Sequence, residues 1–261
     1  MNITSLPATP VHALQFRNAR PGGGGVVVVD LPVFVGTVEG LHAGVDCLVF
    51  ASDLQGRELQ GGRLLGEVVP AWLLREGLVS DPSSTVALLS GDLYASPSAT
   101  ERGATGDVRS VWRAFGSAFS AVVGVMGNHD LLGEDKLEAF ARREAVTILD
   151  GEVKTIEGLR VGGVSGIVGK VTKPNRHTEE GFQSKLEAVL ADDPDIVLLH
   201  QGPSGDEPRD KGSPAVRQTL EAVSRPPIVA FGHCHWTMPL TKDERRQWLN
   251  VDGRVVILQR A

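Results

Sequence analysis

Five short segments of the chain place metal-binding or proton-transferring side chains directly after a run of apolar residues. In chain order they contain Asp53 in SDLQG, Asp92 in GDLY, Asn128 and His129 in GNHD, His200 after DIVLL, and His233 and His235 in GHCH. Carboxylate and amide oxygens and imidazole nitrogens are the donors that divalent cations bind in proteins. The pattern therefore predicts a metal centre assembled from residues that are far apart in the chain.

A donor set of this kind could hold two divalent ions. Two-metal sites place the ions about 3.5–4 Å apart, and a carboxylate bonded to both ions permits that spacing because it screens their repulsion. Two carboxylates do not cancel the charge of two such ions, so the centre would remain positive. It would attract a phosphate ester and lower the pKa of a bound water towards neutrality, giving a metal-activated hydroxide.

Each of the five segments follows a predicted strand in a chain that alternates strands with helices. The strands are predicted at residues 46–51, 85–89, 121–126, 195–199 and 227–231, and the helices at 64–76, 107–120, 134–144, 179–191 and 215–223. Because sites in open α/β sheets gather at the carboxyl ends of strands, the five segments should converge. Near the end of the chain, Asp252-Gly253 between two apolar runs predicts a hairpin.

The ordered blocks resemble those of the calcineurin-like metallophosphoesterases. The resemblance extends from Asp53 to His235. It implies an α/β fold, specifically an α+β four-layer sandwich of two packed mixed β-sheets flanked by helices. We expect residues 1–261 to form a single metallophosphoesterase domain. The gaps between most blocks are short and leave little room for a cap, so the site should be open.

The resemblance also implies how the metals would be held. The implied ligands are Asp53 and His235 for the first metal, Asp92 as the bridge, and Asn128, His200 and His233 for the second metal. His129 is implied to be a catalytic residue and not a ligand. It would protonate the leaving oxygen or stabilise charge on the phosphoryl group, and Asp130 would hold it in place, since a carboxylate on one ring nitrogen fixes the role of the other.

The first block departs from the family pattern. The usual Asp-x-His is here Asp53-Leu54-Gln55, and a glutamine oxygen is a weaker ligand than imidazole for most transition metals. We expect Gln55 to lie in or near the metal shell. The first metal site would then be looser or would select a harder ion. We expect two divalent ions, with Mn²⁺ favoured and Fe, Zn, Mg or Ni as alternatives.

Composition sets limits on the partners. The chain has 26 Lys and Arg against 32 Asp and Glu, a formal net charge of −6. Proteins that bind a nucleic-acid backbone usually have a basic balance, so this charge disfavours that function. The start of the chain lacks a signal-peptide pattern and no apolar run is long enough for a bilayer. Cys47 and Cys234 are interpreted as reduced, packed thiols, which suits a cytoplasmic protein.

Two further patterns have a plain interpretation and a functional one. Gly22–Gly25 precedes a run of valines, so a strand connection is favoured over a phosphate-binding loop, which should open a helix. Charged residues between the blocks could reach a substrate phosphate, although a solvated surface charge is favoured for each. They are Arg57, Arg176, His177, Arg209 and Lys211.

The predicted function is hydrolysis of a phosphate ester, as a phosphodiesterase or a phosphomonoesterase. The substrate would be a small-molecule or nucleotide phosphate. One alternative is a scaffold that keeps the fold but has lost catalysis, with Gln55 as a sign of decay. Another alternative is a nuclease, which would need a basic strip that the sequence does not show.

Overall fold

The computed structural model describes residues 1–261 and contains nineteen strands and five α-helices. The strands are β1 Asn2–Ser5, β2 His12–Ala19, β3 Val26–Glu39, β4 Cys47–Ser52, β5 Arg57–Glu58, β6 Thr85–Leu89, β7 Gly106–Asp107, β8 Ala121–Gly124, β9 Asp130–Leu131, β10 Thr147–Ile148, β11 Glu152–Ile156, β12 Leu159–Val164, β13 Ile167–Val168, β14 Arg176–His177, β15 Ile196–Leu199, β16 Ile228–Phe231, β17 Leu240–Lys242, β18 Gln247–Asn250 and β19 Arg254–Arg260. The helices are α1 Leu65–Arg75, α2 Arg109–Ala118, α3 Leu137–Glu144, α4 Glu179–Ala191 and α5 Pro214–Glu221. No helix is both long and apolar enough to cross a membrane.

The strands form two large mixed sheets and two short ladders. The first sheet has nine strands in the order β10-β8-β6-β4-β19-β3-β2-β5, with β1 paired to β3. The second sheet has six strands in the order β11-β12-β15-β16-β18-β17. The short ladders pair β13 with β14 and β7 with β9.

Alternation of side chains along buried strands makes the two sheets pack face to face with helices outside. In β4, Val49 and Ala51 point into a core shared with α1, α2 and α3, whereas Leu48 and Phe50 point into a core shared with the second sheet. This is the period of two that a strand imposes. A third core packs α4 and α5 against the opposite face of the second sheet. The four layers confirm the predicted fold class.

The strand directions place the carboxyl ends of the five predicted site strands at neighbouring positions. β4, β6 and β8 are parallel neighbours in the first sheet. β15 and β16 are parallel neighbours in the second sheet. Because the two sheets pack against each other, loops leaving these five strands can meet across the interface.

The hairpin predicted at Asp252-Gly253 is wrong. β18 before it pairs with β16 and β17 in the second sheet, and β19 after it pairs with β3 and β4 in the first. The Asp-Gly turn instead carries the chain from one sheet to the other. The glycine run at residues 22–25 does connect two strands, since β2 and β3 pair as antiparallel neighbours on either side of it.

Candidate metal centre and active site

Loops from the two sheets are joined by hydrogen bonds at the predicted site. The backbone N–H of His233, after β16, donates to Asp53 Oδ2, after β4, at 3.1 Å. Nδ1 of His200, after β15, donates to the carbonyl oxygen of Ser90, after β6, at 2.7 Å. The convergence predicted from the sequence is therefore present, and each sheet supplies residues to one site.

The close approach of these loops explains the glycines of the GNHD and GHCH blocks. A Cβ on Gly127 would lie 2.1 Å from the backbone nitrogen of Asp92. A Cβ on Gly232 would lie 2.4 Å from Asp53 Oδ2. Both distances are far below a van der Waals contact, so any larger residue would push the neighbouring loop away. Asp53 and Asp92 themselves have φ of 53°, a left-handed conformation typical of strained functional turns.

Three predicted ligands form the centre of the site. One ligand atom from each of Asp92, His200 and His233 lies within 4.8 Å of the others. Asn128 joins them, because its Oδ1 lies 3.2 Å from Nε2 of His200. Nε2 of His200 also lies 3.4 Å from Asp92 Oδ1. Three of the predicted metal ligands therefore lie close to one another, and a fourth, Asn128, contacts one of them.

The tautomer of His200 suits a metal ligand. A carbonyl oxygen only accepts, so the bond to Ser90 places a proton on Nδ1 and leaves Nε2 facing Asn128 and Asp92. A backbone carbonyl on the non-ligating nitrogen is a common outer-shell arrangement at metal sites. The donor set of carboxylate, amide and imidazole atoms therefore fits a divalent cation.

The pKa shifts of the buried site residues indicate that the site favours a positive charge. Burial raises the pKa of Asp53 well above its usual range, and the neighbouring Asp252 carboxylate raises it further. Although burial alone would lower the pKa of His200, the Asp92 and Asp53 carboxylates raise it to about 10. Burial and the charge on His200 lower the pKa of His233 to about 4. Buried carboxylates thus favour a cation at their centre.

Gln55 contacts the centre through its amide nitrogen. Its Nε2 donates to Asp92 Oδ2 at 2.9 Å, and the residue is half-buried. The side chain therefore lies beside the carboxylate predicted to bridge the metals. Rotation of the amide about its last bond would present the oxygen in place of the nitrogen.

His235 lies apart from the other predicted ligands. Its side chain is 70% exposed, and its Nδ1 is in short contact with Asp252 Oδ2. Asp252 is 8% exposed and lies close enough to Asp53 to raise its pKa. Asp252 was not predicted as a site residue, because it lies outside the five blocks and its Asp-Gly pair was assigned to a hairpin.

The predicted contact between Asp130 and the His129 ring is wrong. The Asp130 carboxylate, which is 1% exposed, accepts hydrogen bonds of 2.7 to 2.8 Å from three backbone N–H groups, those of Asp92, Leu93 and Gly127. The tight GNHD turn sends consecutive side chains in different directions, so Asp130 fixes the turn and not the imidazole. Nδ1 of His129 lies instead 3.1 Å from the hydroxyl of Thr105, a residue that sequence analysis did not single out.

The guanidinium group of Arg57 is not directed towards the site. Its guanidinium donates to the carbonyl oxygens of Gly62, Ala95 and Ser96. Those bonds hold the loop after β6, so the functional interpretation of Arg57 as a phosphate ligand has no support in its contacts.

The two cysteines are buried and unpaired, as predicted.

The fold is similar to that of known protein structures. The crystal structure of the phosphopantetheinyl hydrolase of Mycobacterium tuberculosis superposes with a TM-score of 0.51 at 14% sequence identity, covering 80% of this chain and 90% of that one. This similarity shows the fold. A protein of unknown function from Aquifex aeolicus has a TM-score of 0.34 at 16% identity over 65% of this chain and 83% of that one.

A curated relative matches part of the chain. It is the carbamoyl phosphate synthase small chain of Clostridium perfringens, 33% identical over 117 residues, or 41% of this chain. The chain spans 33% of that relative's length.

The family comparison covers most of the chain and includes every block of the site. The family model for calcineurin-like phosphoesterases matches residues 49–236, from within β4 to one residue beyond GHCH. Membership supports phosphoester hydrolysis in general. With the fold and the converging blocks, this match identifies the chain as a member of the calcineurin-like phosphoesterase family.

Proposed function

We propose that this chain hydrolyses a phosphate ester with two divalent metal ions held between the carboxyl edges of its two sheets. The observation that supports this most strongly is the convergence of Asp92, His200 and His233 from three separate blocks. Asn128 would complete the second site. Asp53, Gln55 and His235 would serve the first, with Asp92 shared.

When bound, two such ions would stabilise charge on the phosphoryl oxygens and lower the pKa of the attacking water. The chain's own part is to hold the donors in place. Asp130 fixes the turns that present Asp92 and Asn128 through its three backbone contacts. Ser90 fixes the orientation of His200. Loss of such outer contacts commonly costs about 10- to 100-fold in metal affinity or activity.

His129 would handle the proton of the leaving alcohol. With the Thr105 hydroxyl donating to Nδ1, Nε2 would carry the proton and donate it towards the leaving oxygen. Burial lowers the pKa of His129, so the free imidazole is neutral near pH 7. A bound phosphate, being negative, would raise that pKa again and favour the proton donor.

Metal-dependent turnover tests the proposed function directly. We expect hydrolysis of p-nitrophenyl phosphate or bis-p-nitrophenyl phosphate with Mn²⁺, and none with EDTA. Asp92→Asn should abolish this turnover, because it removes the carboxylate shared by both ions. Asp192→Asn is the matched control, since Asp192 is exposed at the end of α4. A folded wild-type protein with no turnover under any metal would favour the scaffold alternative.

The role of His129 predicts a dependence on the leaving group. His129→Ala should lower kcat for glycerol 2-phosphate by about 100-fold or more, the usual contribution of general acid catalysis. The loss should be much smaller for p-nitrophenyl phosphate, whose leaving group needs little protonation. Thr105→Val should show a weaker version of the same pattern. Full activity of His129→Ala on glycerol 2-phosphate would exclude this role.

Asp252 would position His235 for the first metal. Its contact with Nδ1 leaves Nε2 of His235 available to the ion. We expect Asp252→Asn to weaken binding of one Mn²⁺ by about 10- to 100-fold, as loss of an outer-shell carboxylate commonly does. Titration calorimetry measures this, with Asp252→Glu expected to retain part of the affinity. Unchanged binding of both ions by folded Asp252→Asn would show that Asp252 serves only the turn.

A further inference from the structure

Four positively charged side chains with no carboxylate partner lie in three loops beside the site. Elsewhere, most Lys and Arg side chains bind carboxylates or carbonyl oxygens, as Arg109 binds Asp107 and Asp135. Arg102, Lys173 and Lys211 are exposed and have no such contact. Arg176 has only a hydrogen bond to the carbonyl oxygen of Pro174. We call Arg102, Lys173, Arg176 and Lys211 the basic rim.

The first loop of the basic rim lies against His129. A Cβ on Gly103, next to Arg102, would lie 3.1 Å from the His129 ring, and Thr105 bonds the same ring. Arg102 also lines a polar cavity of about 40 Å³ with Gln55, Tyr94 and Glu101. This loop therefore connects the metal-side residue Gln55 with the leaving-group side of the site.

The second loop is fixed to the GNHD turn. Asn175 donates through Nδ2 to the carbonyl oxygens of Gly127 and Asp130, each at 2.8 Å. Lys173 and Arg176 flank this anchor. The anchor therefore holds this loop against the turn that contains His129.

The third loop is fixed next to the GHCH block. Nε1 of Trp236, the residue after His235, donates to the carbonyl oxygen of Lys211 at 2.8 Å. Lys211 is therefore held through its backbone beside the GHCH block.

On the basis of the proposed function, we infer that the substrate is a small phosphate ester that carries a second phosphate on its leaving group. The two metals would satisfy the phosphate that is hydrolysed, whereas the basic rim offers charge-assisted donors outside the metal shell. The rim residues come from three separate loops that contact the GNHD turn, His129 and the segment after GHCH, and the chain as a whole is acidic. This arrangement suits a compact polyanion better than a nucleic-acid strand.

A matched pair of competitors tests this inference. Fructose 1,6-bisphosphate and fructose 6-phosphate differ by one phosphate, and each can compete with p-nitrophenyl phosphate at a buffered free Mn²⁺ concentration. We expect the bisphosphate to bind at least about tenfold more tightly, the effect of one added charge-assisted contact. That ratio should fall as ionic strength rises.

Substitutions test whether the basic rim causes the tighter binding of the bisphosphate. Arg102→Gln and Lys211→Gln should each reduce the ratio of the two inhibition constants several-fold. Arg142→Gln and Lys154→Gln should not change it, since these exposed cations lie on α3 and β11 away from the site. Equal inhibition constants for the two sugars, or equal effects of rim and control variants, would overturn the inference. Stronger competition by oligothymidylate than by the bisphosphate would overturn it in favour of a nucleic-acid surface.

Failure of this inference can be told apart from failure of the proposed function. Absence of metal-dependent turnover in the wild type would count against the proposed function alone. Titration calorimetry of the Mn²⁺-treated protein with the same two sugars would then give the same affinity ratio. Turnover of p-nitrophenyl phosphate without any preference for the bisphosphate would overturn only the inference about the substrate.

Discussion

Buried negative charge between two sheets is the constraint on which the site depends. Asp53 and Asp92 come from the first sheet, and His200 and His233 come from the second. Neither sheet could bury its charged or polar side chains without the other, because an isolated buried charge is very costly. The apolar core between the sheets sets their separation, and the charged edge of that interface then becomes a place where a cation is favourable.

The burial of negative charge also explains why several backbone N–H groups at the site donate hydrogen bonds to carboxylates. Asp130 takes three backbone N–H groups from two loops, and Asp92 takes the backbone N–H of His129. These bonds join the loops after β6 and β8 to each other. The GNHD aspartate therefore anchors the turns that contain Asp92 and Asn128, whereas the His129 ring is held separately by its contact with Thr105.

The sequence allowed the fold class and the meeting of the five blocks to be predicted, because both follow from local patterns. Strand periodicity and the polar residues after each strand contain enough information for that step. The pairing of β18 and β19 was not predictable in this way, since an Asp-Gly pair has the same local preference in a hairpin as in a crossing between sheets. Asp252 was missed for the same reason.

The direction of the Asp130 side chain could not be predicted from the sequence either. Adjacency in the chain does not determine the direction in which each side chain of a tight turn points. Gln55 was identified as a departure, but only the structure shows its contact with Asp92.

The central claim is that these residues hold two divalent ions close together. Electron paramagnetic resonance of the wild-type protein titrated with Mn²⁺ tests it most directly, because two nearby Mn²⁺ ions give a spin-coupled spectrum. We expect two ions per chain, with weaker binding at the first metal site, where Gln55 replaces a histidine, and a coupled signal once both ions are bound. A spectrum of isolated Mn²⁺ at saturation, with one ion or none per chain, would contradict it.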